Sequence, residues 1–443
     1  MSVAVHTDDL AVIGAGFVHL DYAATAPCVR AAADAVTALL PSYGSVHRGT
    51  GPRSQTSTLE YERARDVLAD FLGCRPGDQV VFTRNTTDAL NLLARALPPG
   101  TTTVVFDGEH HANLLPWPNP LRLAAPSSPG EAVTAADRAL RDLRGPVLLT
   151  VTGASNVTGE VWPIRELTTI AHRHGARIAI DAAQLAPHEP ISLAEVGADY
   201  VALSGHKLYA PFGSGVLAGR ADWLDAADPY LAGGGASAAV GDRIGDVRWA
   251  TGPSRHEGGT PNLLGAVSLA AVCSALLESD RSALRAHEQD LLARLRDGLR
   301  RVPGVTEVSL FGPRSERVGI VSVSVNGRDP SEVAARLADD HGIGVRAGKF
   351  CAHPLVRRLT AEAGDAGCAG GLLRISFGLG TTADDIDCLL TALASCRRWR
   401  PPADGDDALL TVTTPCSSRR PVPSASTATR RSRATPSSGS SWR

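Results

Sequence analysis

Lysine is almost missing from this chain. Of its 443 residues 44 are basic, yet only Lys207 and Lys349 are lysine and every other basic residue is arginine. Where a cation serves only solubility or pairing, the sequence uses a guanidinium, which cannot give up its proton. The two amines are therefore candidates for work that needs a neutral nitrogen, such as imine formation with a carbonyl compound. Paired cysteines are missing as well: the eight thiols stand apart at 28, 74, 273, 351, 368, 388, 396 and 416, with no Cys-x-x-Cys and no zinc-like spacing. Most are expected to be small buried hydrophobes in a reducing compartment. No long apolar run is present, and Asp8 and Asp9 stand early in an N-terminus without a basic flank. Neither a membrane span nor a signal peptide is expected, and the reading is a cytoplasmic protein. Acid is missing from one end: residues 411–443 hold six Arg and no Asp or Glu, so the formal −2 of the chain leaves −8 on the residues before them. An acidic body argues against nucleic acid as the main partner.

What is present is organised around Tyr200 to Leu217, YVALSGHKLYAPFGSGVL. Apolar residues followed at once by Ser204-Gly205-His206-Lys207 read as a buried strand that ends at a site, with Lys207 at its end. Earlier in the chain, AVIGAGF resembles the opening of a dinucleotide fingerprint, but its third glycine position is His19 and Pro27 interrupts the helix that should follow, so a nicotinamide site is not supported. Leu20 to Thr25 reads as a connector, and a helix is expected from about Cys28 to Leu40. Ser57 or Thr58 is a candidate cap for a helix that runs to about Leu72. Gln79 to Arg84 reads as a strand, Asn85-Thr86-Thr87 as a polar turn and Asp88 to Leu97 as a helix. Such a turn is either an anion site at a helix N-terminus or ordinary capping by Thr86 or Thr87. Strands are expected again at 103–106, 147–152, 177–180 and 198–203, with a helix over 164–174 between the second and third of these.

This alternation predicts an α/β fold with a mainly parallel sheet covered on both faces, in which ligands bind at the carboxyl ends of the strands. Thr87, His110, Asn156, Asp181, Gln184 and Lys207 each follow a strand end and are expected to converge. The adjacent His110 and His111 have no evident third ligand, so no metal site is expected. Residues 230–262 read as a glycine-rich loop. The expected division is an N-terminal segment 1–30, a large domain 31–262, a smaller α+β domain 263–400 and a Ser/Pro/Arg-rich tail 401–443 too polar to order itself.

In order and spacing, LDYAATAP, VHRGTG, FTRNTTDALNLLA, EHHANLLPW, SNVTGEVWPI, DAAQ, SGHKLYAPFGSGV, HEGGTPN and RAGKFCAHPL resemble the class V aminotransferase family of pyridoxal-phosphate enzymes, in its cysteine desulfurase and selenocysteine lyase branch. The resemblance spans residues 18–398 and implies a fold type I transferase, a large domain with a seven-stranded type of sheet plus a smaller C-terminal domain, assembled as a homodimer with pyridoxal 5'-phosphate as cofactor. It makes Lys207 the lysine that carries the cofactor and then moves the substrate's α proton. Asp181 becomes the partner of the pyridine nitrogen, Gln184 that of the ring hydroxyl, and His110 the imidazole stacked on the ring. Thr87, Ser204 and His206 correspond to phosphate ligands with Thr86 beside them, and Thr260 to the residue that reaches the phosphate from the other subunit. Arg374 matches the arginine that binds the substrate carboxylate through a planar fork. His47, Asn156 and Arg346 match further contacts around the substrate.

Cys351 lines up with the nucleophile that takes sulfur as a persulfide. Two departures accompany it: Lys349-Phe350 stands where the branch commonly has histidines, and the interval to Arg374 is long and holds Gly364, Gly367, Cys368, Gly370 and Gly371. If the segment is extended, Lys349 shares a face with Cys351 and its ammonium favours the thiolate. The expected activity is conversion of L-cysteine to L-alanine with sulfur passed to an acceptor, for which a protein is one candidate. The alternatives are a selenocysteine lyase, a C–S lyase or an epimerase of the same family, and more remotely a non-catalytic scaffold. Membranes and nucleic acid are not expected partners.

Overall fold

The computed structural model describes residues 8–14, 16–118, 120–243, 245–364 and 371–395. The expected disordered tail at 401–443 lies outside them, as do Cys368, Cys396 and Cys416.

Seven strands form the main sheet: β1 (Asp78–Thr83), β2 (Thr102–Phe106), β3 (Leu121–Leu123), β4 (Val147–Thr152), β5 (Arg177–Asp181), β6 (Tyr200–Ser204) and β7 (Gly215–Arg220). Their order is β1-β7-β6-β5-β4-β2-β3, and only β7 runs against the rest. A strand returning parallel needs a crossover of a dozen or more residues. The loop from Ser204 to Gly215 is shorter than that, so the chain turns straight back beside β6. Every residue of β4 and β6 is buried, which is why those segments read as unbroken apolar runs rather than alternating ones.

Helix α1 (Arg30–Leu39), α2 (Pro52–Phe71) and α3 (Thr86–Ala96) lie close to where the sequence puts them, with two corrections at their starts. Helix α2 begins at Pro52, because proline at the first helical turn loses no needed hydrogen bond. Ser57 and Thr58 therefore lie inside it; their hydroxyls accept the N–H groups of Gly44 and His47 and fix the loop before the helix instead. The cap of α3 is Asn85, whose side chain accepts from Asp88 N, and neither threonine serves. The glycine-rich stretch at 230–262 contains a short hairpin, Ser237–Val240 with Val247–Trp249.

Beyond the loop come α4 (Leu263–Glu278), α5 (Arg281–Leu299), α6 (Pro330–His341), α7 (His353–Glu362) and α8 (Ala383–Ser395). A second sheet, wholly antiparallel, has the order β8 (Val305–Glu307), β9 (Ile320–Val325), β11 (Leu372–Ser376), β10 (Arg346–Gly348). Helix α4 is apolar nearly all round; most of it is buried, while Leu264, Val267, Ala271 and Ser274 along one side are half-buried and Leu277 is exposed. It packs between α1 and α2, and Leu263, Leu269, Val272 and Cys273 belong to the core of the large sheet. Leu291, Leu295 and Leu299 of α5 belong instead to the core of the small sheet, and the axes of the two helices meet at 93°. We therefore propose that the division between domains falls near Asp280 rather than at Leu263. The N-terminal connector is tied to the small domain: Val18–His19 pairs in parallel with Ile343–Gly344, and Leu20 lies in the small core. Among the described residues no single helix is long and apolar enough to cross a membrane.

Candidate active site

Three strand ends and one turn define a cavity of about 360 Å³. Asp181 closes β5, Ser204 closes β6, and Thr152 closes β4 in direct register with Asp181. The Asn85 turn reaches this edge because Gly215 opposes it: a Cβ there would lie 2.5 Å from Asn85 Cα. Thr86 N then donates to Ser204 Oγ at 2.8 Å, and the two hydroxyls are also 2.8 Å apart. Thr87 faces the cavity one residue into α3, where unpaired backbone N–H groups and the helix dipole favour an anion. His206 lines the same end; its Nδ1 lies 3.0 Å from Thr25 Oγ1.

Lys207 stands at the floor. Its amine makes no hydrogen bond or ion pair with any described residue, and burial, opposed by Asp181, brings it down to about 8. Against a usual value above 10, that shift turns a trace of neutral amine at pH 7 into a substantial fraction. Asp181 is buried and accepts from Ala183 N at 3.0 Å; burial pushes its carboxyl up and Lys207 pulls it back. His110 accepts from Ala112 N on Nδ1 at 3.0 Å, and burial with Lys207 nearby lowers it to about 3, so the ring is neutral. His206 falls to about 4 for the same two reasons. Gln184 donates to Ala23 O at 2.9 Å.

The small domain supplies the roof. Arg346 and Arg374 are direct register partners across β10 and β11, which sets two like charges side by side, a destabilising pair if nothing answers it. Asp21 answers it: its carboxylate accepts from Arg374 Nη2 at 3.0 Å and lies 3.7 Å from Arg346 Nη1. Arg374 Nη1 donates to Asn156 O, its guanidinium lies 4.8 Å from the Phe350 ring centre, and its buried Nε has no partner. Among the described cysteines only Cys351 is exposed. Phe350 and Cys351 are both left-handed, with φ of 49° and 53°, which costs roughly 1–3 kcal/mol for each non-glycine residue. The turn is held by Ala352 N to Lys349 O, His111 N to Cys351 O and Asn156 Nδ2 to Phe350 O. This geometry corrects the extended reading of the segment: Phe350 and Cys351 form a tight turn, so the alternation that would set Lys349 and Cys351 on one face does not apply.

Thus Thr86, Thr87, His110, Asn156, Asp181, Gln184, Ser204, His206, Lys207, Arg346, Cys351 and Arg374 all line one cavity. His47 and Thr260 do not. Within one chain His47 is left-handed, bonded to Glu62, and lines a separate space of about 90 Å³ beside Arg48, Gly259 and Pro261. Thr260, exposed, lies between the last two. Asp21, Thr25 and Phe350 are the residues the sequence reading left out of the site. Asp21 had one signal available, a carboxylate in a segment otherwise made of small and apolar residues.

The profile of the family described as aminotransferase class-V matches residues 18–389. A relative from Halalkalibacterium halodurans, named as a probable cysteine desulfurase, is 34% identical over 88% of this chain and 96% of its own. One from Klebsiella pneumoniae, named as a cysteine desulfurase, is 33% identical over 79% and 86%. The apo structure of the cysteine desulfurase from Thermococcus onnurineus NA1 superposes with a TM-score of 0.77 at 30% identity, covering 86% of this chain and 95% of that one. The Escherichia coli cysteine desulfurase CsdA in its S-sulfonic acid form gives 0.73 at 31%, with the same coverage. With a large, mostly parallel sheet, a small antiparallel one and a cleft at their junction, the chain has the type I fold of pyridoxal-phosphate enzymes and belongs to the class V aminotransferase family.

Proposed function

We propose that the protein is a pyridoxal 5'-phosphate-dependent cysteine desulfurase that converts L-cysteine to L-alanine and holds the sulfur as a persulfide on Cys351. The observation that carries this reading is the meeting, in one cavity, of a half-buried amine with no hydrogen-bond partner among the described residues, the buried Asp181 carboxyl, a helix N-terminus suited to an anion, a guanidinium with a free Nε, and the exposed thiol. The residues fit the cofactor: Thr86, Thr87, Ser204 and His206 would hold its phosphate, Asp181 its ring nitrogen, Gln184 its ring hydroxyl, His110 its face and Lys207 its carbonyl carbon. When bound, it supplies an electron sink for the substrate's α carbon.

Lys207, with about a tenth of its amine neutral at pH 7 against a trace for an ordinary lysine, is suited to take the substrate's α proton at Nζ. Arg374 fixes the substrate carboxylate with its planar fork while Asp21 holds that fork in place, and Asn156 and Arg346 border the same space. Cys351 in its thiolate form attacks the substrate's sulfur. An S–S bond forms, the C–S bond breaks, and the pair left on the β carbon takes a proton to give the methyl group of alanine. The persulfide then passes its outer sulfur to a thiol acceptor, small molecule or protein. Incubation with L-cysteine tests the reading directly: alanine should accumulate and Cys351 should gain one sulfur atom by mass, whereas formation of pyruvate or the D-amino acid would overturn it.

Removal of one partner from the Asp21–Arg374 pair should be felt mainly in binding. Asp21→Asn is expected to raise KM for L-cysteine roughly 10- to 100-fold, the worth of a hydrogen bond to a charged group, with a smaller change in kcat. Equal losses in kcat and kcat/KM would show instead that Asp21 acts in the transition state.

Two copies complete the site in this reading. His47 and Thr260 lie together on an exposed loop surface away from their own chain's cavity, where they are free to reach a neighbour's phosphate and substrate. A Lys207→Ala protomer mixed with a Thr260→Ala protomer should regain activity, because one of the two sites in each mixed dimer then carries neither lesion. Mixed dimers that stay inactive would count against shared sites.

A further inference from the structure

Glu109 is a carboxylate at the floor of this site for which the chemistry above has no use. It is 0% exposed, and its oxygens are held by neutral donors: Oε1 accepts from Thr152 N at 2.9 Å and Oε2 from Asn113 Nδ2 at 2.8 Å. No described cation pairs with it. Thr152 is the register partner of Asp181, so the two buried carboxyl groups attach to neighbouring strand ends. The titratable groups around Glu109 are Asp181 from β5, Lys207 beyond it, and His110 on its own turn, which burial keeps neutral. Two ionised carboxylates in so dry a place would repel each other and lose their hydration, a cost of several kcal/mol per ion. The Lys207 charge offsets this for Asp181, whereas Glu109 has only the two neutral donors, Asn113 Nδ2 and Thr152 N, and no cation.

A proton on Glu109 also has an acceptor. The Asn113 amide bridges Glu109 Oε2 and Thr150 Oγ1, the latter 2.5 Å from Asn113 Oδ1. The two ends of an amide have nearly the same shape. Rotated by half a turn, Asn113 offers Oδ1 to a Glu109 O–H and Nδ2 to the Thr150 oxygen, so Glu109 has a partner on Asn113 whether it is charged or neutral.

We infer that Glu109 carries the proton of this buried pair and so leaves Asp181 as its one negative charge, which makes Glu109 a positioning residue for the carboxylate that faces the cofactor. Only the link to the cofactor rests on the function proposed above. Burial pushes the Glu109 carboxyl up to about 8, against about 4.3 in an unfolded chain. A carboxyl raised on folding contributes stability that is full below the unfolded value and is lost as pH rises through the folded one.

Infrared spectra of the full chain stripped of cofactor test the proton. The difference between wild type and Glu109→Gln should contain the C=O stretch of a buried protonated carboxyl at mildly acidic pH, fading as pH passes about 8. Its absence at acidic pH would overturn the inference, as would urea titrations in which wild type loses no more stability than Glu109→Gln between mildly acidic pH and pH 8. If Glu109→Gln does not fold, the wild-type infrared titration alone decides, since a chain with no carboxyl band fading near 8 has no proton there to lose. In the cofactor-loaded protein, the visible absorbance of wild type should show a step near 8 that Glu109→Gln lacks. Identical pH titrations in the two would overturn the coupling to the cofactor even with the proton in place.

Discussion

Alanine in place of Lys207 is expected to leave a protein that no longer fixes its cofactor on borohydride treatment, loses the visible band of the covalent linkage, and turns over L-cysteine at least about a thousandfold more slowly. The size follows from two roles meeting on one nitrogen, since a positioned acid–base group alone is worth roughly 10²- to 10⁴-fold. The fold has little reason to fail: the amine has no partner among the described residues to strand, and the backbone of the loop is held by Gly205 N to Ser214 O and Ala210 N to Gly205 O. The proposed phosphate contacts from Thr86, Thr87 and Ser204 would remain, so weak non-covalent binding should persist. Exogenous amines should restore some turnover. A borohydride-stable cofactor in Lys207→Ala would mean that another group carries it, and Lys349, the other lysine of the chain, would be the one to replace next.

Serine at position 351 should divide the reading in a different way. Thiolate attack on sulfur is lost with the thiol, so persulfide and alanine should both fall by about a thousandfold or more, while the cofactor's spectrum and the dissociation constant of substrate change little. The reasoning rests on exposure and placement. The other described thiols are partly or fully buried, and burial drives Cys74 up to about 12 and Cys273 further still, which leaves them inert. Among the described cysteines Cys351 alone is exposed, on a turn whose two left-handed residues are tied down by bonds from Asn156 and His111. Strain of that kind persists only where the surroundings over-determine it. Unchanged alanine production in Cys351→Ser, with sulfide released directly, would move the chain to the lyase reading of the same family.

The order of strands and the residues at their ends were legible in the sequence because a parallel sheet brings its carboxyl ends to one edge whatever the details of packing. Asp181, Ser204 and Lys207 follow from that rule, and so does the turn before α3. Apolar runs identified β4 and β6 because strands buried on both faces have no polar side to show. The scarcity of lysine singled out Lys207 through chemistry rather than structure. Other features were decided only when distant parts of the chain met. Asp21 serves the site through Arg374, 353 positions away. Arg346 stands beside Arg374 through strand register, which no local pattern encodes. His47 and Thr260 lie apart from the cavity of their own chain, although their motifs stand in order with the rest. The strand-like alternation expected for Lys349 and Cys351 is broken because Phe350 and Cys351 take a left-handed conformation that ordinarily calls for glycine. Periodicity and turn chemistry report the preferences of a few neighbouring residues, whereas a clamp, a register pair or a strained turn exists only where contacts from elsewhere in the fold exceed those preferences.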